Sequence, residues 1–289
     1  MRIVRSNAEM RATVAEARVA GRSVGLVPTM GAFHGGHHAL MRAARGRSDL
    51  VVVSLFVNPA QFDDPADLDA YPRDEERDAA EAAELGVDVL YAPPVEEVYP
   101  PGFATSVRVD GLGDVLEGVS RGAGHFAGVC TVVAKLFNVV TPDIAFFGQK
   151  DAQQVAVLRR MVRDLDLPVA IEVVPTVREA DGLAMSSRNR RLDASERDRA
   201  LALSRALGAA ERAIHRGERD ASAIERAARG AMRDVEPEYL ALVDPESFSA
   251  VQQVNGRVLV AVAARIGATR LIDNTIIHTA ATPDAAPIP

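Results

Sequence analysis

Four short apolar runs rich in valine, isoleucine and leucine recur at residues 24–27, 50–57, 87–92 and 144–147, with a fifth at 169–174. Helical patterns lie between several of them. Residues 74–85 are charged and alanine-rich after Pro72, and 151–165 place Val155, Leu158, Val162 and Leu165 on one helical face. Continuous apolar strands alternating with helices predict a parallel sheet covered on both faces. Ligands of such sheets bind beyond the carboxyl ends of the strands. The polar residues that follow the runs, His34, Asn58, Gln61 and Lys150, are therefore the first candidates for chemistry.

The pattern changes near Thr176. A polar, glycine-containing linker at 178–189 precedes an alanine-rich helix at 195–215 and a second helix at 221–234. Strands are expected at 238–243, 258–264 and 269–277. The fold class expected is α/β: a Rossmann-like parallel sheet with helices on both faces over 1–176, then a smaller α+β lid domain over 177–278. The Ala/Pro-rich tail 279–289 is expected to be disordered. The most apolar stretch, 126–140, is shorter than the roughly 18–20 residues that span a bilayer. It carries Thr131, Lys135 and Asn138 at helical spacing, and reads as a helix buried on most sides, in a core or a subunit interface.

The 289 residues carry a net charge of −7, which argues against a general nucleic-acid or anionic-membrane surface but allows a small basic pocket. One cysteine, Cys130, cannot form an intrachain disulfide and fits a reducing compartment. The N-terminus shows no signal-peptide pattern. A cytoplasmic protein without membrane or nucleic-acid partners is expected.

Four stretches can carry chemistry. In the first, the apolar run at 24–27 leads through Pro28, Gly31, His34, Gly35, Gly36 and His37 into the helical residues 39–45. A strand, a glycine-rich turn and a helix start can cradle phosphate on backbone amides, with two imidazoles as further donors. The same residues also make a turn with two satisfied histidines. In the second, Asn58-Pro59-Ala60-Gln61 is either an Asn-Pro turn or a neutral amide wall for a small hydroxylated carboxylate. In the third, Gly148-Gln149-Lys150-Asp151 offers a cation for phosphates and close backbone approach at Gly148. Asp151 there suits a helix N-cap or a ribose hydroxyl, and Gln154 lies on the following helical turn. In the fourth, Ser186, Ser187 and Arg188 end the polar linker, which is either an exposed interdomain segment or a grip on a triphosphate that closes as a lid. No histidine pairs with cysteine or carboxylate at metal-ligand spacing, so Mg2+ is expected to arrive on nucleotide phosphates. Neither a Walker-type phosphate loop nor a Gly-x-Ser-x-Gly nucleophile is present.

Together these stretches resemble the pantothenate synthetases (pantoate–β-alanine ligases) of the nucleotidylyltransferase superfamily. The resemblance rests on Pro28-Thr29-Met30-Gly31-Ala32-Phe33-His34-x-Gly36-His37, Phe56-Val57-Asn58-Pro59-x-Gln61-Phe62 and Gly124-His125-Phe126-x-Gly128-Val129. It continues in Phe147-Gly148-x-Lys150-Asp151-x-Gln153-Gln154 and in Pro175-Thr176-x-Arg178-x-x-Asp181-Gly182-Leu183-Ala184-Met185-Ser186-Ser187-Arg188-Asn189. It extends to about Ile277. The histidine motif occurs across the superfamily, whereas the serine-arginine loop and the lysine-aspartate-glutamine corner are far more specific.

The resemblance implies ATP-dependent condensation of pantoate with β-alanine through pantoyl adenylate, in a homodimer. It implies an ATP site of Met30, Gly31, Ala32, Phe33, His34, Gly35, Gly36 and His37, completed by Gly148, Gln149, Lys150, Asp151, Val177, Met185, Ser186, Ser187 and Arg188. His37 falls at the position usually assigned as proton donor, and His34, Lys150 and Arg188 join it as the residues expected to carry catalysis. Gln61 and Gln154 would hold pantoate, with Gln61 also near β-alanine. Three departures stand out. Ser120-Arg121-Gly122-Ala123-Gly124-His125 lacks the family's Arg-Pro pair and is one residue longer. Gln149 replaces a common glutamate, and Ala152 a larger residue. Two other readings use part of the pattern: another adenylyl-transferring enzyme, such as one making a dinucleotide cofactor, and a non-catalytic nucleotide-binding protein.

Overall fold

The computed structural model describes residues 1–62, 65–122 and 124–279. Two compact units divide the chain: Met1–Val177 with Met185–Ser187, and Arg178–Ala184 with the residues from Arg188 onward. Val177 thus closes the first unit rather than opening the second. The polar linker is shared between the two instead of falling wholly beyond a boundary at 176.

The first unit runs β1 (Arg2–Val4), α1 (Asn7–Val19), β2 (Val24–Thr29), α2 (Gly35–Arg45), β3 (Leu50–Leu55), α3 (Pro65–Asp69), α4 (Glu75–Glu84) and β4 (Val89–Tyr91). It continues through α5 (Val95–Val98), α6 (Glu117–Arg121), α7 (His125–Val140), β5 (Ile144–Gly148), α8 (Ala152–Asp164) and β6 (Ala170–Val174). The six strands are parallel in the order β1-β4-β3-β2-β5-β6. Leaving out β1, this is a doubly wound order whose direction reverses between β2 and β5. That reversal opens a crevice at their carboxyl ends, where the histidine loop and Lys150 both begin.

The five expected strands form: β3, β4 and β6 are trimmed at their ends, whereas β2 runs on to Thr29 and β5 to Gly148. The sequence pattern missed β1, a three-residue edge strand with two exposed positions and therefore no apolar run. It also missed α1, although Ser6 and Glu9 make a reciprocal capping box there. Helix α7 packs against α1, α8 and β2 and buries 13 of its 16 residues, which makes it the central helix of the unit. Thr131 is buried with them because its hydroxyl donates to the Ala127 carbonyl at 2.7 Å and accepts from the Val107 amide at 2.9 Å. In α8, Val155, Leu158 and Met161 face inward, but Leu165 is 51% exposed because the helix ends at Asp164.

The second unit contains α9 (Ala194–His215), α10 (Ala221–Gly230) and an antiparallel sheet β7-β8-β9 (Pro237–Val243, Arg257–Ile266, Thr269–His278). Helix α10 ends four residues earlier than expected. Ala200, Leu203, Ala206 and Leu207 of α9 share a core with Val258, Val260 and Val262 of β8. Arg178 forks onto the buried carboxylate of Asp273 at 2.7 and 3.0 Å, and Arg197 bridges Glu179 and Asp181. Much of the linker's charge is therefore structural. Thr279, the first residue of the expected tail, is tied to Gly256 through backbone and hydroxyl bonds. Residues 280–289 lie outside the described part.

Candidate active site

Strand β2 ends at Thr29, whose hydroxyl donates to the Ser54 carbonyl at 2.6 Å and accepts from the Gly31 amide at 3.3 Å. The chain then turns through two left-handed positions, Gly31 (φ +83) and Ala32 (φ +54). The second is unfavourable for a residue with a Cβ and needs external support. Asp78 on α4 supplies it: its carboxylate accepts from the Ala32 and Phe33 amides at 2.8 and 2.9 Å. Burial raises the Asp78 pKa against the lowering effect of those two bonds. The expected amide cradle is therefore corrected in part, because the Ala32 and Phe33 N–H groups serve an internal carboxylate. What remains is the first turn of α2, whose amides no helix carbonyl can accept and where the helix dipole favours anions.

His34 is the N-cap of α2, and its Nδ1 accepts the Gly36 amide at 3.1 Å. A neutral ring in that arrangement carries its proton on Nε2. The His37 ring lies 4.2 Å from it, centroid to centroid. His37 Nδ1 is buried and has no hydrogen-bond partner among the described residues. Burial, reinforced by the nearby charges of His34, His38 and Lys150, pushes the His37 imidazole down to about 3, so it is neutral at physiological pH. His38 turns to α4, where its Nε2 meets Glu81 at 2.8 Å.

Across the crevice, Gln149–Asp151 form a single 3-10 turn between β5 and α8. Asp151 occupies the N-cap position of α8, but its side chain makes no capping bond. The capping role the sequence allowed is thus not used. Its neighbour Gln153 is buried: Nε2 donates to the carbonyls of Leu112 and Val115 at 2.7 and 2.8 Å, and Oε1 accepts from the Glu117 amide at 3.0 Å. Of the two glutamines, only Gln154 is partly exposed on the first helical turn. Arg121 pairs with Glu117 at 3.0 Å. The Met185 amide donates to the Val177 carbonyl at 2.9 Å, and Met185 Sδ lies 2.6 Å from where a Cβ on Gly35 would sit. Met185 therefore lies against Gly35, the first residue of α2. Ser186 and Ser187 follow within the first unit, whereas Arg188 belongs to the second.

The expected amide wall is corrected at Asn58. Asn58 is 1% exposed and cannot touch a ligand through its side chain. Gln61 is the accessible amide, and its Nε2 lies 3.0 Å from Met30 Sδ. This contact joins the Gln61 turn to the start of the histidine loop. His125 on α7 donates from Nδ1 to the Gln61 carbonyl at 2.9 Å. Sequence reasoning missed Asp78, Tyr99, His125 and Gln153 as supports of the site. An aspartate at the head of an alanine-rich run gives no signal of a partner 46 residues upstream.

A family model described as Pantoate-beta-alanine ligase matches residues 2–276. The pantothenate synthetase of Moorella thermoacetica is 51% identical over 281 residues, covering 96% of this chain and 99% of the relative. The crystal structure of pantothenate synthetase from Thermus thermophilus is 48% identical and superposes with a TM-score of 0.90, covering 95% of this chain and 99% of that one. The Francisella tularensis pantoate–β-alanine ligase, complexed with β-γ ATP and β-alanine, is 32% identical with a TM-score of 0.76 and coverages of 96% and 97%. The chain belongs to the pantoate–β-alanine ligase family.

Proposed function

We propose that the crevice between β2 and β5 activates pantoate with ATP and passes the acyl group to β-alanine. The pantoate carboxylate attacks the α-phosphorus, the bond to pyrophosphate breaks, and pantoyl adenylate forms. The β-alanine nitrogen then attacks the acyl carbon, a proton is lost, and AMP departs with the former carboxylate oxygen. The observation that carries this reading is the Gln61 Nε2–Met30 Sδ contact at 3.0 Å. An uncharged amide that can hold a hydroxylated carboxylate stands against the first residue of the phosphate loop.

A carboxylate nucleophile is already ionised at neutral pH and needs no base. The first step needs alignment and positive charge on the departing pyrophosphate. Lys150, the α2 N-terminus and the His34 Nε2 proton supply that charge, and Arg188 is a further cation expected to act on the phosphates. A neutral His37 gains basicity as the triphosphate offsets the surrounding positive charges, which suits a group that donates to a phosphate oxygen. Asp151, without a capping bond, serves the ribose. Gln61 and Gln154 hold pantoate, and Gln61 extends to β-alanine. Mg2+ belongs to this reading as an ion carried by the phosphate oxygens, hard donors that suit it. Bound there, it would neutralise phosphate charge.

Pantoyl adenylate is a mixed anhydride that water destroys, so the second unit acts as a lid that excludes it. Identical solution-scattering profiles with and without ATP and pantoate would exclude that motion. The enzyme works as a cytoplasmic homodimer, the first property testable by fractionation and the second by light scattering. Among the described residues, no helix is long and apolar enough to cross a membrane.

The decisive assay follows AMP release and requires ATP, pantoate and β-alanine together, alongside ATP–pyrophosphate exchange. Exchange that depends on pantoate supports the reading. Exchange without it points to a different adenylyl acceptor.

A further inference from the structure

Gln61 can hold a carboxylate or hydroxyl in two ways, because its carboxamide offers donors at one end and an acceptor at the other. Which end faces the ligand depends on what fixes the amide from behind. Asn58 Nδ2 donates to Gln61 Oε1 at 2.9 Å and to the Gly128 carbonyl at 3.1 Å. With its oxygen engaged, Gln61 is left with its NH2 group toward Met30. Asn58 can do this only while its own oxygen points the other way. That oxygen accepts the Ala60 amide at 3.3 Å and, much more closely, the Tyr99 hydroxyl at 2.7 Å.

We propose that Tyr99 is a positioning residue for pantoate recognition, acting through Asn58 to keep the NH2 end of Gln61 turned toward the substrate. The inference rests on the reading of Gln61 as a pantoate ligand. Tyr99 lies just beyond α5, well outside the sequence stretches that suggest the site. Its ring packs against Phe56 and Phe103, with centroids 6.1 and 5.1 Å away, so its place is fixed by apolar contacts independent of the hydroxyl. Burial pushes its phenol up to about 12, so it stays a proton donor throughout the working pH range. Asn58 has no solvent to replace a lost partner. Without the hydroxyl, its oxygen keeps only the long bond to Ala60, and the Asn58–Gln61 pair is held less firmly, by that bond and by the Gly128 carbonyl.

The test compares Tyr99→Phe, Gln61→Ala and the double variant, with KM for each substrate and the melting temperature recorded. Tyr99→Phe keeps the ring packing and should raise KM for pantoate about 3- to 10-fold, the loss of roughly one hydrogen bond. KM for ATP should stay within about twofold, since the ATP contacts are untouched. In the Gln61→Ala background the Tyr99→Phe change should add nothing to KM for pantoate. An equal effect in both backgrounds, or equal increases in KM for ATP and pantoate, overturns the proposal. Should Gln61→Ala leave KM for pantoate unchanged, the reading of Gln61 itself fails. Side-chain amide NMR of Gln61 gives a second reading that does not depend on turnover. A change in the chemical shifts of its side-chain NH2 in Tyr99→Phe is expected, and unchanged shifts count against the relay.

Discussion

The histidine loop after β2 and the Gln61 turn after β3 occupy neighbouring strand ends and meet at Met30, yet they are built from opposite chemistry. The loop gathers groups whose charge can change, His34, His37 and His38 facing Lys150, and it holds two left-handed residues with a buried carboxylate. The Gln61 turn is held by a set of direct hydrogen bonds: through Asn58, Tyr99 and the Gly128 carbonyl, all uncharged, and through His125 Nδ1–H. A corner that meets a polyanion stores electrostatic tension, which ligand binding relieves. A corner that must tell one small carboxylate from another fixes the direction of a neutral dipole instead. The first should respond to charge and pH, and the second to geometry.

The largest test of this contrast is Lys150→Ala. If Lys150 acts on charge that develops as pyrophosphate leaves, single-turnover pyrophosphate release should fall about 10²- to 10³-fold, as when one electrostatic donor is removed from a transition state. ATP affinity should change far less. An unchanged burst would move the charged corner's work elsewhere.

Asp78→Ala comes next. It leaves the Ala32 and Phe33 amides buried without an acceptor and a non-glycine residue at φ +54 without support. Each buried orphan donor costs about 1–3 kcal/mol, so a loss of about 2–3 kcal/mol is expected after local relaxation, read as a shift of the denaturation midpoint. ATP binding should weaken while KM for pantoate moves little. Equal losses on both substrates would mean that the two corners are not separable.

Acid should expose the tension at His37. Its pKa, held near 3 in the folded protein against about 6.5 unfolded, gives a contribution to stability that is complete above pH 6.5 and is lost as pH falls toward 3. At about 1.36 kcal/mol per unit, lowering the pH from about 7 to about 5 should cost up to about 2 kcal/mol through this residue, and His37→Gln should remove that part of the slope. ATP should raise the His37 midpoint in an NMR titration of the ring. A midpoint that ignores ATP would break the link between the loop's charges and the triphosphate.

These same features explain what was legible in the sequence. The parallel sheet was readable because β2, β3 and β5 are buried on both faces and so appear as apolar runs. Helices α4 and α9 were readable as alanine-rich runs after Pro72 and after the polar linker, although the caps that start them, Asp74 and Asp193, were not read. The candidate site's outward-facing residues could be named from type and position alone, because polar side chains just after a strand mark the ligand side of such a sheet. Their supports could not. Asp78, Tyr99 and Gln153 act across 46, 41 and 36–41 residues of sequence on backbone amides, backbone carbonyls and one buried amide side chain. No local pattern encodes such pairings. Asn58 shows the limit most clearly: its place beside Gln61 suggested a shared wall, whereas burial makes it the bracket behind that wall.

The smallest expected effect separates two aspartates in the same local position. Asp193 caps α9, its carboxylate accepting the Glu196 amide at 2.8 Å within a full capping box. Replacing it by alanine should cost about 1 kcal/mol, the usual loss of an N-cap. Asp151 holds the equivalent position on α8 without any capping bond, so Asp151→Ala should leave the melting curve in place and raise KM for ATP severalfold through the ribose. A helix gains from capping its own N-terminus unless the carboxylate has another use. A melting loss at Asp151 equal to that at Asp193, with KM for ATP unchanged, would return Asp151 to the helix and leave the charged corner to Lys150 and the two histidines.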